Sequence, residues 1–172
     1  MGTHLKAGTS LATLLGALFV CAGNVDAVDI GGTISSTLTI TEDSQLVDDV
    51  TCMVTGAPCV QIGASHVTLE LNGFTMTGQA DAQTACRGDG GVSEFGIFVN
   101  GQTDVTIHGP GLVKQFRNQG ILLNNNTGSR VIAVTMSTNC FSGVQLSGGA
   151  ENEIRDSVSS RNGNSSNPCG GI

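Results

Sequence analysis

Apolar residues recur along this chain at two interlocking periods. Within short segments every second position is apolar, as in Ile97-Phe98-Val99, Ile121-Leu122-Leu123 and Val144-Gln145-Leu146. Period two is the pattern of strands, whose successive side chains point to opposite faces. The segments themselves also recur. Phe95-Gly96-Ile97-Phe98-Val99 is answered by Gln119-Gly120-Ile121-Leu122-Leu123 and by Ser142-Gly143-Val144-Gln145-Leu146, and the chain ends on Gly170-Gly171-Ile172. Glycines at 96, 120, 143 and 171 stand 24, 23 and 28 residues apart. A repeat of this length marks a solenoid, in which each repeat is one coil laid on the last.

Two further apolar segments follow the first in each coil. They are Val105/Ile107 and Leu112/Val113, then Val131 and Val134/Met136, then Ile154 and Val158. Val60/Ile62, Val67/Leu69 and Phe74/Met76 fit the same template earlier in the chain. Three strands per coil, with Gly and Asn at the turns, predict an all-β, three-sided solenoid of parallel strands. Parallel coils pair like with like, so Ile97, Ile121 and Val144 should form one inward column. Val99, Leu123 and Leu146 should form the next, with Val60 and Ile62 below and Ile172 starting the rung above. A slip of one residue would turn every core side chain outward. Asn118, Asn139 and Asn162 fall near one corner, where Asn tolerates left-handed turns and bonds along a stack of its own kind. The L-x-x-L-x-L-x-x-N signature of leucine-rich repeats is absent, as is the six-residue period of a left-handed β-helix.

Val67-Thr68-Leu69-Glu70-Leu71-Asn72-Gly73-Phe74-Thr75-Met76, followed by the glycine-led coils, resembles the right-handed parallel β-helix repeat proteins of the pectate-lyase-like superfamily, or pectin lyase fold. The resemblance covers residues 30 to 172. It implies a right-handed parallel β-helix of about five to six coils. It does not imply one activity, because that superfamily holds polysaccharide lyases, polygalacturonases, alginate epimerases, tailspikes and non-enzymatic surface proteins.

The ends of the chain read differently from its middle. Residues 1–27 have the form of a secretory signal peptide: Lys6, an apolar core from Leu11 to Val20, and Val25-Asp26-Ala27 as cleavage site. The apolar run is too short for a membrane span of about 20 residues. Leu18-Phe19-Val20-Cys21 departs from a lipoprotein box at Val20. Residues 28–172 then form one β-helix domain, with 28–58 as cap and irregular first coil. The polar, Gly-rich stretch 79–94 reads as an insertion between two coils, the sort of loop that carries function on a rigid scaffold. Ile172 falls in the first strand of a new coil with no cap after it, so the chain is expected to be a fragment.

Composition narrows the partners. The net charge is −7, with only 12% charged residues. That argues against nucleic acid or an anionic membrane surface. Glu42-Asp43 and Asp48-Asp49 read as solvated turns, with calcium binding as the alternative. No zinc-like cysteine spacing occurs, and no cofactor is expected, calcium excepted if the chain belongs to an enzyme. Asn125-Asn126-Thr127 and Asn164-Ser165-Ser166 match the N-glycosylation pattern. In an oxidising compartment Cys52 should pair with Cys59 across a short turn, and Cys140 with Cys169 one coil apart, leaving Cys86 without an assigned partner.

Stacking also predicts outward columns. They are His66–Asp104–Gly128–Glu151, Thr68–Thr106–Arg130–Glu153 and Glu70–His108–Ile132–Arg155. A His beside a carboxylate suits a general base, and an Arg beside them suits an acidic sugar. Glu70, His108, His66, Asp104, Arg130 and Arg155 are therefore the candidate site. The face bearing Gln61, Phe98, Leu122 and Gln145 is nearly neutral; a sugar-binding module normally offers aromatic stacking platforms, and with no Trp or Tyr only Phe98 and Phe95 are candidates. The polygalacturonase-like motifs are missing: His108 lies in Ile-His-Gly-Pro-Gly, and Asp48-Asp49 stands in another context. The expected function is an exported surface or carbohydrate-contacting scaffold with polysaccharide as partner. The alternative is a fragment of a polysaccharide lyase, glycoside hydrolase or uronate epimerase acting on acidic glycans.

Overall fold

The computed structural model describes residues 27–80 and 93–163. The expected signal peptide up to residue 26, the middle of the 79–94 insertion with Cys86, and the chain end with Asn164, Cys169 and Ile172 lie outside the described residues. All the described secondary structure is β, without a helix, and its strands pair in parallel. One sheet has five strands: β2 (Leu38–Ile40), β4 (Val60–Ile62), β7 (Ile97–Asn100), β9 (Ile121–Asn124) and β11 (Val144–Ser147), stacked in that order. The other has eight: β1 (Val28–Ile34), β3 (Ser44–Cys52), β5 (Thr68–Glu70), β6 (Thr75–Thr77), β8 (Thr106–Lys114), β10 (Arg130–Ser137), β12 (Glu153–Arg155) and β13 (Val158–Ser160). The arrangement is compatible with a β-solenoid.

The pairing follows the repeat. Val60, Ile97, Ile121 and Val144 share one column, and Ile62, Val99, Leu123 and Leu146 the next. In the eight-stranded sheet Leu69, Ile107, Val131 and Ile154 align. Most of these side chains are fully buried, and burying each stabilises the stack by roughly 1.5–3 kcal/mol. Leu146 and Val158 are 41% and 54% exposed; both sit on the last described rung, where no described strand covers them.

The expected second and third sides are two halves of one bent sheet. β10 pairs with β12 through its first half and with β13 through its second. The register shifts between Ile132 and Val134, around Ala133 at φ 58°. One left-handed residue turns the strand without ending it. β3 likewise pairs with β5 through its first half and with β6 through its second, without a left-handed residue of its own. Asp48 and Asp49 lie within it, at its irregularity opposite Gly31, rather than in a connecting turn.

Atomic contacts explain the repeat glycines. A Cβ on Gly96 would fall 2.4 Å from the Gly120 carbonyl oxygen, and one on Gly120 would fall 2.7 Å from that of Gly143. Behind Gly120 the Asn139 amide nitrogen stands 2.8 Å from such a Cβ, and behind Gly143 the Asn162 amide nitrogen stands at 2.7 Å. The corner preceding each first strand is thus filled from inside. Asn139 is buried; its Nδ2 donates to the Val113 carbonyl at 3.2 Å, and its Oδ1 accepts from Phe116 N–H at 3.1 Å. Asn162 repeats this one rung on, donating to Met136 and accepting from Asn139 N–H. Asn118 stands two residues past this column, whose place on its own rung is taken by buried Phe116. A second corner uses buried Asn126, which donates to the Val99 carbonyl and accepts from Gln102 N–H.

The acidic residues near the first rung also bind backbone. Asp43 Oδ1 accepts from Thr68 N–H at 2.7 Å, and Asp49 Oδ1 from Thr75 N–H at 2.8 Å. Cys52 and Cys59 form a disulfide, with Cα atoms 5.8 Å apart. Cys140 is disulfide-bonded as well; the expected pairing with Cys169 lies outside the described residues.

Candidate functional site

Two outer faces carry the polar chemistry. On the eight-stranded sheet the expected columns form. Thr68, Thr106, Arg130 and Glu153 align, as do Glu70, His108, Ile132 and Arg155. His108 Nδ1 lies 2.7 Å from Glu70 Oε2. Against a carboxylate, which accepts, Nδ1 is the donor of this pair. His66 Nδ1 lies 3.5 Å from Asp104 Oδ2, both well exposed. Their column, with Gly128 and Glu151, is a corner at which all four residues have positive φ. Arg130 and Arg155 both reach Glu153 at 3.8 Å. All six predicted residues thus share one face.

They do not converge on one point. His66 and His108 lie on opposite flanks of the Thr68/Thr106 pair, and the His66–Asp104 pair sits at the corner before the strands begin. Among the described residues no three His, Cys, Asp or Glu side chains group as metal ligands. The side chains of this face pair with one another, Glu153 with two arginines, in solvent-accessible contacts that contribute about 0–1 kcal/mol each.

The five-stranded sheet presents the opposite chemistry. None of its strands contains a charged residue. Gln61, Phe98, Leu122 and Gln145 form one outward column. Backbone hydrogen bonds from Cys59 to Phe95, Gly96 to Gln119 and Gly120 to Ser142 extend the ladder one step back, which puts Phe95, Gln119 and Ser142 in a second column. The Phe95 and Phe98 rings stack on each other, with centroids 5.3 Å apart. Gln119 Nε2 donates to Gln145 Oε1. Gln119 is only 9% exposed, and its Oε1 has no hydrogen-bond partner. Leaving a buried acceptor unpaired costs about 1–3 kcal/mol. Beyond the strand core, Asn124 Nδ2 donates to Asn100 Oδ1 at 2.7 Å.

A third feature joins the sheets. Glu94, 5% exposed, accepts from Gly56 N–H at 2.9 Å and pairs with Arg117 at 3.2 Å. Gly56 lies in the loop closed by the Cys52–Cys59 disulfide. A buried carboxylate needs such partners to offset its desolvation. Sequence reading assigned Glu94 to the insertion and passed over Arg117 and Gln119. Their signal was positional: Gln119 precedes a repeat glycine as Phe95 and Ser142 do. No protein-family model matches the chain, and neither curated proteins nor solved structures yield a match.

Proposed function

We propose that this chain is an exported right-handed parallel β-helix of about five to six coils, similar to the pectate-lyase-like superfamily, that serves as a surface or carbohydrate-contacting scaffold. The observation that carries the scaffold reading is the mutual pairing of the charged face. Its ionisable side chains are engaged with one another: His66 with Asp104, His108 with Glu70, and both Arg130 and Arg155 with Glu153. Near the first rung Asp43 and Asp49 accept backbone N–H groups of Thr68 and Thr75, a structural use of these acids. Export agrees with the Cys52–Cys59 disulfide, since such bonds persist in oxidising compartments, and with residues 1–27 acting as a cleaved signal peptide. No helix of the described residues is long and apolar enough to cross a membrane. Polysaccharide is the proposed partner.

The Glu70–His108 pair favours a second reading, a fragment of a polysaccharide lyase, glycoside hydrolase or uronate epimerase acting on acidic glycans. There Nε2 of His108 would be the base and Arg130 or Arg155 the sugar-acid clamp. Reducing-end and unsaturated-product assays on pectin, polygalacturonate and alginate separate the two. The scaffold reading expects no turnover. Steady product release that vanishes in His108→Ala would replace it with the enzyme reading.

A further inference from the structure

We propose that the outer face of the five-stranded sheet is a binding strip for a neutral glycan, with Phe95 and Phe98 as its stacking platform. The inference rests on the carbohydrate-contacting reading above and adds the face and the class of sugar. Two part-buried aromatic rings stacked on each other give this face an apolar patch. The C–H face of a pyranose is the natural complement to such a surface, and its hydroxyls then need partners at the rim. Gln61 and Gln145 supply them. They stand in the column of Phe98, one rung below and two rungs above it. Each amide both donates and accepts, as a sugar hydroxyl does.

Gln119 is the independent sign of a missing partner. It is nine-tenths buried in the column of Phe95, is tied to Gln145 through Nε2, and holds an Oε1 with no donor. A hydroxyl is the group that satisfies it when the amide turns toward a bound sugar. The rungs lie about 4.8 Å apart, close to the length of one sugar residue in an extended chain. A glycan running across the strands would therefore meet one column position per residue.

Charge selects the class. With no charged residue in the five strands and a net charge of −7 on the whole chain, a polyanion finds no counter-charge here and is repelled overall. Arg117, which shares a small pocket with Phe95, is paired with Glu94.

The test is retention of the full chain on cellulose, xylan and mannan against polygalacturonate and alginate, with thermal melts confirming that each variant folds. Expected is binding to at least one neutral polymer, weakened about tenfold or more by Phe98→Ser and measurably by Gln145→Ala. Glu70→Gln and His108→Ala should bind as the parent does. Gln145→Ala keeps the test standing if Phe98→Ser does not fold. Binding to acidic polymers alone, or neutral binding untouched by both face variants, overturns this inference while leaving the scaffold reading in place. Failure of the folded parent to bind any glycan overturns both.

Discussion

The two outer faces share one backbone and differ in almost everything else. On the eight-stranded sheet opposite groups meet across neighbouring rungs, Glu70 with His108, Arg130 with Glu153, and His66 with Asp104. On the five-stranded sheet the outward residues are rings and amides, and one buried amide oxygen is left without a donor. The difference teaches that charge density is a poor guide to a ligand site. Charges stacked at rung spacing satisfy one another and leave little for a partner. Rings and amides satisfy one another less completely, and the neutral face is where unmet chemistry accumulates. Neither face holds the stack together; the inward columns and corner amides do.

The comparison breaks most completely if the shared frame is removed. Ile121→Ala deletes a fully buried side chain from the central inward column. It should cost about 2–5 kcal/mol, read as a drop in chemical-denaturation midpoint, and both faces should be lost together. Cys52→Ser acts at one end. Opening this short loop should cost about 2–3 kcal/mol and release Gly56 from Glu94. Proteolysis should attack the first rungs before the central ones, and equal lability throughout would show that the disulfide holds more than its own end.

Smaller effects sharpen the comparison. Asn139→Ala orphans the Val113 carbonyl and the Phe116 N–H, at about 1–3 kcal/mol. The loss should show as faster amide exchange at Phe116. Glu70→Gln should change the melting temperature least, by no more than about 0–1 kcal/mol, because its partner is half-exposed. A large loss there would mean that the charged face is part of the frame.

Much of this was legible before any coordinates. Period-two alternation placed Ile97, Val99, Ile121, Leu123 and Val144 inside, and stacking like on like brought Glu70 to His108 and His66 to Asp104. These are consequences of periodicity, which a sequence displays openly. The Cys52–Cys59 bond followed from proximity in the chain. Three things were hidden. The bend that merges two sides turns on Ala133, an unremarkable residue in a left-handed conformation. The Glu94–Arg117 pair joins one residue beside an insertion to another at a corner, so no period announces it. Gln119 looks polar and exposed in sequence, yet is buried on the rung next to Phe95.

Every statement about either face depends on register, and paired cysteines test it most directly. Phe98 and Leu122 are outward partners on adjacent rungs, whereas Leu123 is buried. Neighbouring strands place such Cα atoms about 4.8 Å apart, within disulfide range. In Phe98→Cys/Leu122→Cys the new thiols should oxidise to a bond found by non-reducing mass mapping, and in Phe98→Cys/Leu123→Cys they should not. A bond in the second variant and none in the first would mean that the strands pair one residue out of step, and that neither the charged nor the neutral face exists as described.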